Sequence, residues 1–559
     1  MMMCILARRI VLLGCVAIAG LAYAPRVQAQ SMIVSGKSLD VLFDDAEYLL
    51  KQAAPKEAQA PALEMLNQVR GPQAFPGFDR KRPFGAWVTI PANEGEPPSV
   101  AAAIPISNLE QAIETLKNFG IGVEANPGVP GFTHAVTLPD GNTKLFLVAT
   151  KEYLFASLVP VDAGALSSKK PSDWMPRHSG AGDLSLTLRF DTLPTWFQKT
   201  MLDGVEQNLS TQRERQPGEN DATYQGRIAG MDLVLTGFKS LVTQGADLSF
   251  DVGVDKQKGE LVLQLTTSAR PGTGMESTLK RFGERRSLFG AWSGEGPLTA
   301  WLNVPLPKEF QKLMGDSFDN SRDQAMSKIE DAKQKELTTK LLDLMRPVIT
   351  ADTLDASFDL LGPIKASSGA KYVMLGGIKV PNGKQIDATF RDMIKEIPKE
   401  EAVDVSIDFA KGADGTSIHK IKTPNTDPQS KMLLGEASVF FAIRDDAVMI
   451  AIGEEGQDVL SKSLSKVGKS SSGRESAAVN LVANTRQLVE VASLADPNVG
   501  AKLNDLLKDA PEGQDTVQLT LGAPDGVLRL RLAVGTSAIR ILSVLGMQSQ
   551  AAGLPVPNQ

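Results

Sequence analysis

The sequence predicts an α+β protein made by tandem duplication. It divides into two halves of ~250 residues, each of two β-α-β-β-α units of ferredoxin-like type with a β-rich insert between them. Mainly antiparallel sheets are expected, with helices packed on one face. Three observations predict this. Leu193–Met201 and Leu306–Met314 share the pattern L-P-x-x-F-Q-K-x-M, and each copy follows a run of alternating apolar residues. Residues 132–139 and 417–424 each carry a histidine five positions before a proline, and 145–158 then aligns without a gap on 439–452. Strand-period and helix-period patterns recur in one order near 31–120, 182–283, 296–397 and 476–546.

The elements follow in chain order. Arg8 and Arg9 precede the apolar run Ile10–Ala24, and Val27-Gln28-Ala29 offers small residues before Gln30. This reads as a signal peptide, 1–29, cut between Ala29 and Gln30. The run is too short to span a bilayer. Leu12-Leu13-Gly14-Cys15 is the alternative, a lipobox that would anchor a lipoprotein through Cys15. After the cut no cysteine remains and the net charge moves from −6 to −9, because Arg8, Arg9 and Arg26 leave. Thiol nucleophiles, disulfides and cysteine metal sites are then excluded. An acidic balance also argues against sequence-independent nucleic-acid binding.

The first half, 30–284, opens with a strand at Met32–Val34 and a helix at Leu39–Leu50. Ala86–Ile90 and Val100–Ile106 form a strand pair. Leu109, Ala112, Ile113, Leu116 and Phe119 make a helical stripe, with a Ser107/Glu110 capping box and a stop at Gly120. The first β insert covers 130–160. Leu184, Leu186, Leu188 and Phe190 alternate, which predicts one buried apolar face. A proline-led helix follows, then an exposed polar excursion between helices at 207–226, a hairpin turning at Lys256–Gly259 and a helix at Met275–Phe282.

The second half, 285–547, repeats the order. Leu298, Ala300, Leu302 and Val304 alternate, and 316–346 reads as one long surface helix. Leu354–Leu360 and Tyr372–Val380 are strands, and Asn382-Gly383 leads into a helix with Ile386, Phe390, Met393, Ile394 and Ile397 on one face. The second insert is 403–455, and 466–474 is a loop. Val517–Leu521 and Leu528–Val534 form a hairpin turning at Asp525-Gly526, with Arg529 and Arg531 on the wet face. Residues 548–559 are a flexible tail.

Few residues suggest chemistry. His134 and His419 occupy matching insert positions, so each half could give one imidazole to a paired site. The competing reading is a strand position that kept its residue after duplication. No zinc-type histidine spacing exists. Gly468-Lys469-Ser470 lacks the earlier glycine of a phosphate loop, where Ser463 stands. Ser463/Lys466 and Ser167/Lys170 fit S-x-x-K without its partner motifs. The acid pairs Asp44-Asp45, Asp445-Asp446 and Glu454-Glu455 read as solvated turns or helix starts. Phe-Gly-Ala-Trp recurs at 84–87 and 289–292, each time behind basic residues that could form an anion or partner patch.

The signal peptide, the opening strand with the Leu39–Leu50 helix and the two His-x4-Pro inserts make the chain resemble exported bacterial proteins of unknown function built from tandem α+β units. The resemblance spans most of the mature chain and implies no activity. With no convergent catalytic, cofactor or metal set, the expected function is non-enzymatic. The chain reads as a periplasmic or extracellular binding or scaffold protein for a protein or envelope ligand. No nucleic-acid partner and no transmembrane anchor in the mature chain are expected. The alternatives are a periplasmic chaperone or carrier of apolar cargo, and a hydrolase of unfamiliar type.

Overall fold

The computed structural model describes residues 30–551 apart from 55, 72–73, 139–142, 179–181, 293–295, 367–368, 397–403, 423–427, 437 and 470–476. The predicted signal peptide, with Cys15 and Ala29, lies outside the described residues, as do Pro139, Pro424, Ser470 and residues 552–559. The protein is α+β, with extensive antiparallel sheet and sixteen helices among the described residues. It forms two compact units. The first holds the described parts of 1–205, 239–276 and 533–559, and the second holds those of 206–238 and 277–532. These units are not contiguous in sequence, unlike the expected halves 30–284 and 285–547.

From the N-terminal side, β1 (Met32–Gly36) leads through α1 (Leu39–Ala53) and α2 (Lys56–Arg70) to β2 (Phe84–Thr89), β3 (Ser99–Pro105) and α3 (Leu109–Asn118). The insert supplies β4 (Gly122–Ala125), β5 (His134–Thr137), β6 (Lys144–Ala149), β7 (Tyr153–Ser157), α4 (Ala163–Ser167) and α5 (Pro171–Trp174). Next come β8 (Leu184–Arg189), α6 (Thr195–Thr211), α7 (Asp221–Gln244), β9 (Gly245–Asp255), β10 (Glu260–Ala269) and α8 (Gly274–Gly283). The strands of this first unit pair in the order β4-β5-β6-β7-β3-β2-β1-β8-β9-β10, antiparallel throughout.

The second unit runs through β11 (Leu298–Pro305), α9 (Lys308–Ser327), α10 (Ala332–Ile349), β12 (Thr353–Ala366), β13 (Gly369–Lys379) and α11 (Gly383–Glu396). Its insert holds β14 (Asp404–Lys411), β15 (Ser417–Lys422), α12 (Pro428–Leu434), β16 (Ser438–Ile443), β17 (Ala447–Ile452) and α13 (Gly456–Leu464). The chain ends with β18 (Ala477–Asn484), α14 (Thr485–Ala495), α15 (Pro497–Leu507), β19 (Thr516–Gly522), β20 (Leu528–Gly535) and α16 (Thr536–Ala551), of which the end of β20 and all of α16 belong to the first unit. The pairing order is β14-β15-β16-β17-β13-β12-β11-β18-β19-β20. Each strand thus has the neighbours of its counterpart ten places earlier.

Helices depart from the expectation in a consistent way. α2 follows α1 where only Leu39–Leu50 was expected, and 316–346 is split between α9 and α10, while α6 and α7 bracket the polar excursion as expected. This changes topology. One helix after a strand returns the chain parallel to that strand, whereas a helix pair returns it antiparallel. The strands joined by helix pairs, β1/β2, β8/β9, β11/β12 and β18/β19, are therefore antiparallel neighbours. A ferredoxin-like split crossover would keep them apart. Two boundaries also move: Asn108, not Ser107, caps α3 by accepting the Gln111 N–H, and the expected tail is helical to Ala551.

The repeated nonapeptide builds a strand-to-helix corner. Gln198 Nε2 donates to the Leu193 carbonyl at 2.8 Å, and Gln311 Nε2 donates to the Leu306 carbonyl at 2.7 Å. Lys199 and Lys312 each pair with the aspartate one turn later, Asp203 and Asp316. Proline fits the start of each helix because its missing N–H is an orphan there anyway. The repeated Phe-Gly-Ala-Trp, by contrast, is coincidental in position: 84–87 lies in β2, while 289–292 lies in a turn before β11.

The first unit has a core on each side of its insert sheet. Ile113 on α3 joins Val136, Leu147 and Leu154 on one side. On the other, Trp174 of α5 stacks on Trp87 with ring centroids 5.8 Å apart and meets Tyr153 and Phe155 edge-on. In the second unit Phe289 and Trp292 cover Val373, Leu375 and Met449.

Candidate functional site

The two matched histidines are the sharpest candidates from sequence. His134 lies on β5 opposite Leu147, and His419 lies on β15 opposite Phe441. Leu147 and Phe441 are themselves matched in the ungapped alignment, so the register places the histidines at equivalent points. Their surroundings differ completely. His134 is half-exposed in the first unit, and its Nδ1 meets the Thr133 hydroxyl at 3.0 Å. His419, in the second unit, is 1% exposed between Phe390 and Phe441.

Both nitrogens of His419 are engaged. Its Nδ1 accepts the Asp408 N–H at 3.1 Å, so the proton sits on Nε2, which lies 3.4 Å from an Asp387 carboxylate oxygen. Arg391 bridges Asp387 and Asp408 at 2.8 and 2.7 Å. Burial, then the Arg391 charge, holds the imidazole below its ordinary pKa, while Arg391 holds the Asp408 carboxyl far below its own. An acid–base catalyst needs a free lone pair or a transferable proton facing a substrate. Here Nδ1 accepts a backbone N–H, Nε2 faces the Asp387 carboxylate, and the ring is enclosed by protein. The cluster pins α11 to the bulged strand β14, where Asp408 takes φ +51°.

A second titratable group was not anticipated. Asp45, read as part of a solvated acid pair, is buried on α1. Lys256, from the β9–β10 turn, reaches it at 2.8 Å. Asp183, just before β8, shares a hydrogen bond with Asp45, pairs with Lys37 at 2.9 Å and accepts the Val254 N–H. Burial first, and then the charge of Asp183, push the Asp45 carboxyl up to about 6 against the pull of Lys256. Two carboxyls sharing a proton resemble acid–base machinery. Two lysines neutralise them, however, which leaves neither carboxylate free to act on a substrate. The arrangement works as a latch joining α1, β8 and the β9–β10 turn. Its sequence signal was available: Asp45 falls between Leu42 and Leu49, on the apolar stripe of α1.

The faces of the sheets are the third feature. Alternation led to the expectation that the leucine sides are buried. The opposite sides are buried instead. On β8, β9 and β10, Ser185, Thr187, Asp247, Ser249, Asp251, Gln264, Thr266 and Ser268 are all buried. Three cross-strand pairs join them: Ser185 donates to Asp251, Thr187 meets Ser249 at 2.9 Å, and Ser268 donates to Asp247 at 2.7 Å. The other face carries the row Val34, Leu186, Phe250 and Leu265. Leu186 is 44% and Phe250 42% exposed. The second unit has the same polarity. Thr299, Asn303, Asp355, Asp359 and Asn480 are buried, while the row Ile450, Gly376, Phe358, Ala300 and Leu481 leaves Phe358 and Leu481 each 37% exposed. Leu530 is likewise more exposed than its neighbours Arg529 and Arg531. Period two fixes that a strand has two faces, and cross-strand hydrogen bonds let the polar one be buried.

An open pocket of about 480 Å³ lies in the first unit between Val129–Gly131 and Pro160–Gly164. Its one charged group, Asp162, caps α4 by accepting the Gly164 and Ala165 N–H groups. The remaining sequence hits lie apart: Ser167 ends α4, Ser463 is buried in α13, and Asp445 and Asp446 sit in the β16–β17 turn beside Lys384 and Arg444. Among the described residues no group of three or more acids and histidines could hold a metal, and no helix is long and apolar enough to cross a membrane. Compared with protein-family models, curated proteins and solved structures, the chain matches none of them.

Proposed function

We propose that this chain is an exported, non-catalytic binding protein, duplicated from one ancestral ten-stranded unit, that takes an apolar ligand on the open faces of its sheets. The carrying observation is a half-exposed apolar row in each unit; the two rows coincide at the matched strands β1/β11 and β8/β18, where Leu186 and Leu481 correspond, and otherwise run over different strands. Large contiguous apolar surface on a folded chain marks a binding site rather than chance exposure. The rows are built from aliphatic and phenyl groups, which suits hydrocarbon better than a partner that needs directed hydrogen bonds. Duplication is supported by the identical neighbour order and by the register that matches His134 with His419; the nonapeptide corner, which follows β8 in one unit and β11 in the other, is a likeness between non-equivalent places. The buried acids and His419 support a structural rather than catalytic use of charge, since each is held by protein partners.

The test is titration of the mature protein with a fluorescent long-chain fatty acid. Binding is expected, and Leu186→Asp with Phe250→Asp should weaken the first unit's share about tenfold or more, because two of the apolar side chains that would cover the hydrocarbon become charged. Circular dichroism and melting show whether the variant stays folded. Absence of binding, or binding unchanged in a folded double variant, would sink the reading.

A further inference from the structure

We infer that the mature chain carries a pyroglutamyl residue at position 30, formed from the N-terminal glutamine that export leaves behind. This rests on the proposed cut between Ala29 and Gln30. The chain enters the sheet at once after that point. The Ser31 N–H donates to the Val88 carbonyl at 2.8 Å, and the Ser31 carbonyl accepts the Arg189 N–H at 2.7 Å. β1 then continues between β2 and β8, so the new terminus is planted beside an interior strand. In the uncut chain Gln30 is 3% exposed. Its carbonyl accepts the Thr192 hydroxyl at 3.1 Å, but its side-chain Nε2 and Oε1 are both buried with no partner.

Cutting at Ala29 would add a charged ammonium to this site. A buried charge without a counter-ion is strongly disfavoured, and no carboxylate is among the partners found for Gln30 among the described residues. Cyclisation removes the difficulty. The neutral α-amine attacks the side-chain Cδ, the new N–Cδ bond forms, the Cδ–Nε2 bond breaks, and Nε2 leaves as ammonia with the proton released by the attacking amine. No oxidant or co-reactant is consumed. The product is a neutral lactam: the terminal charge is gone, and the two N–H donors of Nε2 are replaced by the single N–H of the ring, a change of terminal charge with direct energetic weight.

The experiment is intact-mass and N-terminal peptide mass spectrometry of the full protein recovered after export. The expected N-terminal peptide begins at residue 30, lacks a free amine and is lighter than the glutaminyl form by one ammonia. A peptide that begins at Gln30 with a free amine overturns the proposal and leaves the cleavage reading standing. A peptide that begins elsewhere overturns both. Gln30→Ala, which cannot cyclise, should keep a free amine and melt below the wild type. An unchanged melting temperature would remove the physical argument.

Discussion

The two units have the same strand order and different buried charge. At the β5–β6 position of the first, His134 sits at the surface and α3 lays Ile113 against Val136 and Leu147. At the matching β15–β16 position of the second, His419 is buried and α11 brings Asp387 and Arg391 to it. Conversely, the first unit buries Asp45 on α1 beside Lys256 and Asp183. Strand order follows from apolar alternation and from the helix pairs, so it survives exchange of a local polar cluster. Matched residues in a repeat therefore do not imply matched chemistry.

The largest break in this comparison should come from replacing the two histidines in turn. His419→Leu leaves the Asp408 N–H and the Asp387 carboxylate without the imidazole, which should cost about 1–3 kcal/mol. His134→Leu, at the surface, should stay within ~0.5 kcal/mol. Equal losses in chemical denaturation would mean that the two positions do equivalent work after all.

A pH series sharpens the contrast, because the two groups have opposite sign. Asp45 is raised from 3.8 to about 6, so the stability it contributes is present below the ordinary carboxylate value and is lost as pH rises through about 6. Asp355 in the second unit has the same sign, raised by burial. His419 is lowered from 6.5, so its contribution is present above that value and is lost on acidification. Calorimetry between about pH 4 and 8 should show the first component missing from Asp45→Asn and the second from His419→Leu. A pH profile unchanged in either variant would show that its group does not titrate on unfolding.

The smallest effect is a likeness rather than a difference. Gln198→Ala and Gln311→Ala each remove one side-chain bond to a helix-entry carbonyl, and each should cost about 0.5–1.5 kcal/mol. A clearly unequal pair would show that the shared letters do not share a role.

Much of this was legible in the sequence. The strands at 184–190, 298–304 and 517–534, the insert register and the α3 stop at Gly120 all follow from period, turn chemistry and self-similarity. The pairing of helices was less so: α2 is polar, and the break between α9 and α10 falls inside one charged stretch of continuous helical spacing. Asp45 was within reach, since it interrupts an apolar stripe, but adjacent Asp44 made the pair look solvated.

By itself the sequence determined the alternation, the repeats and the corner built by L-P-x-x-F-Q-K-x-M. Those are local: they depend on residues a few positions apart. Only the tertiary structure decided that Leu186 and Phe250 stay open while Ser185, Ser249 and Asp251 are buried, and that His419 is enclosed while His134 is not. Burial depends on what packs across a face, and hydrogen bonds supplied by distant strands can make a polar face the inner one.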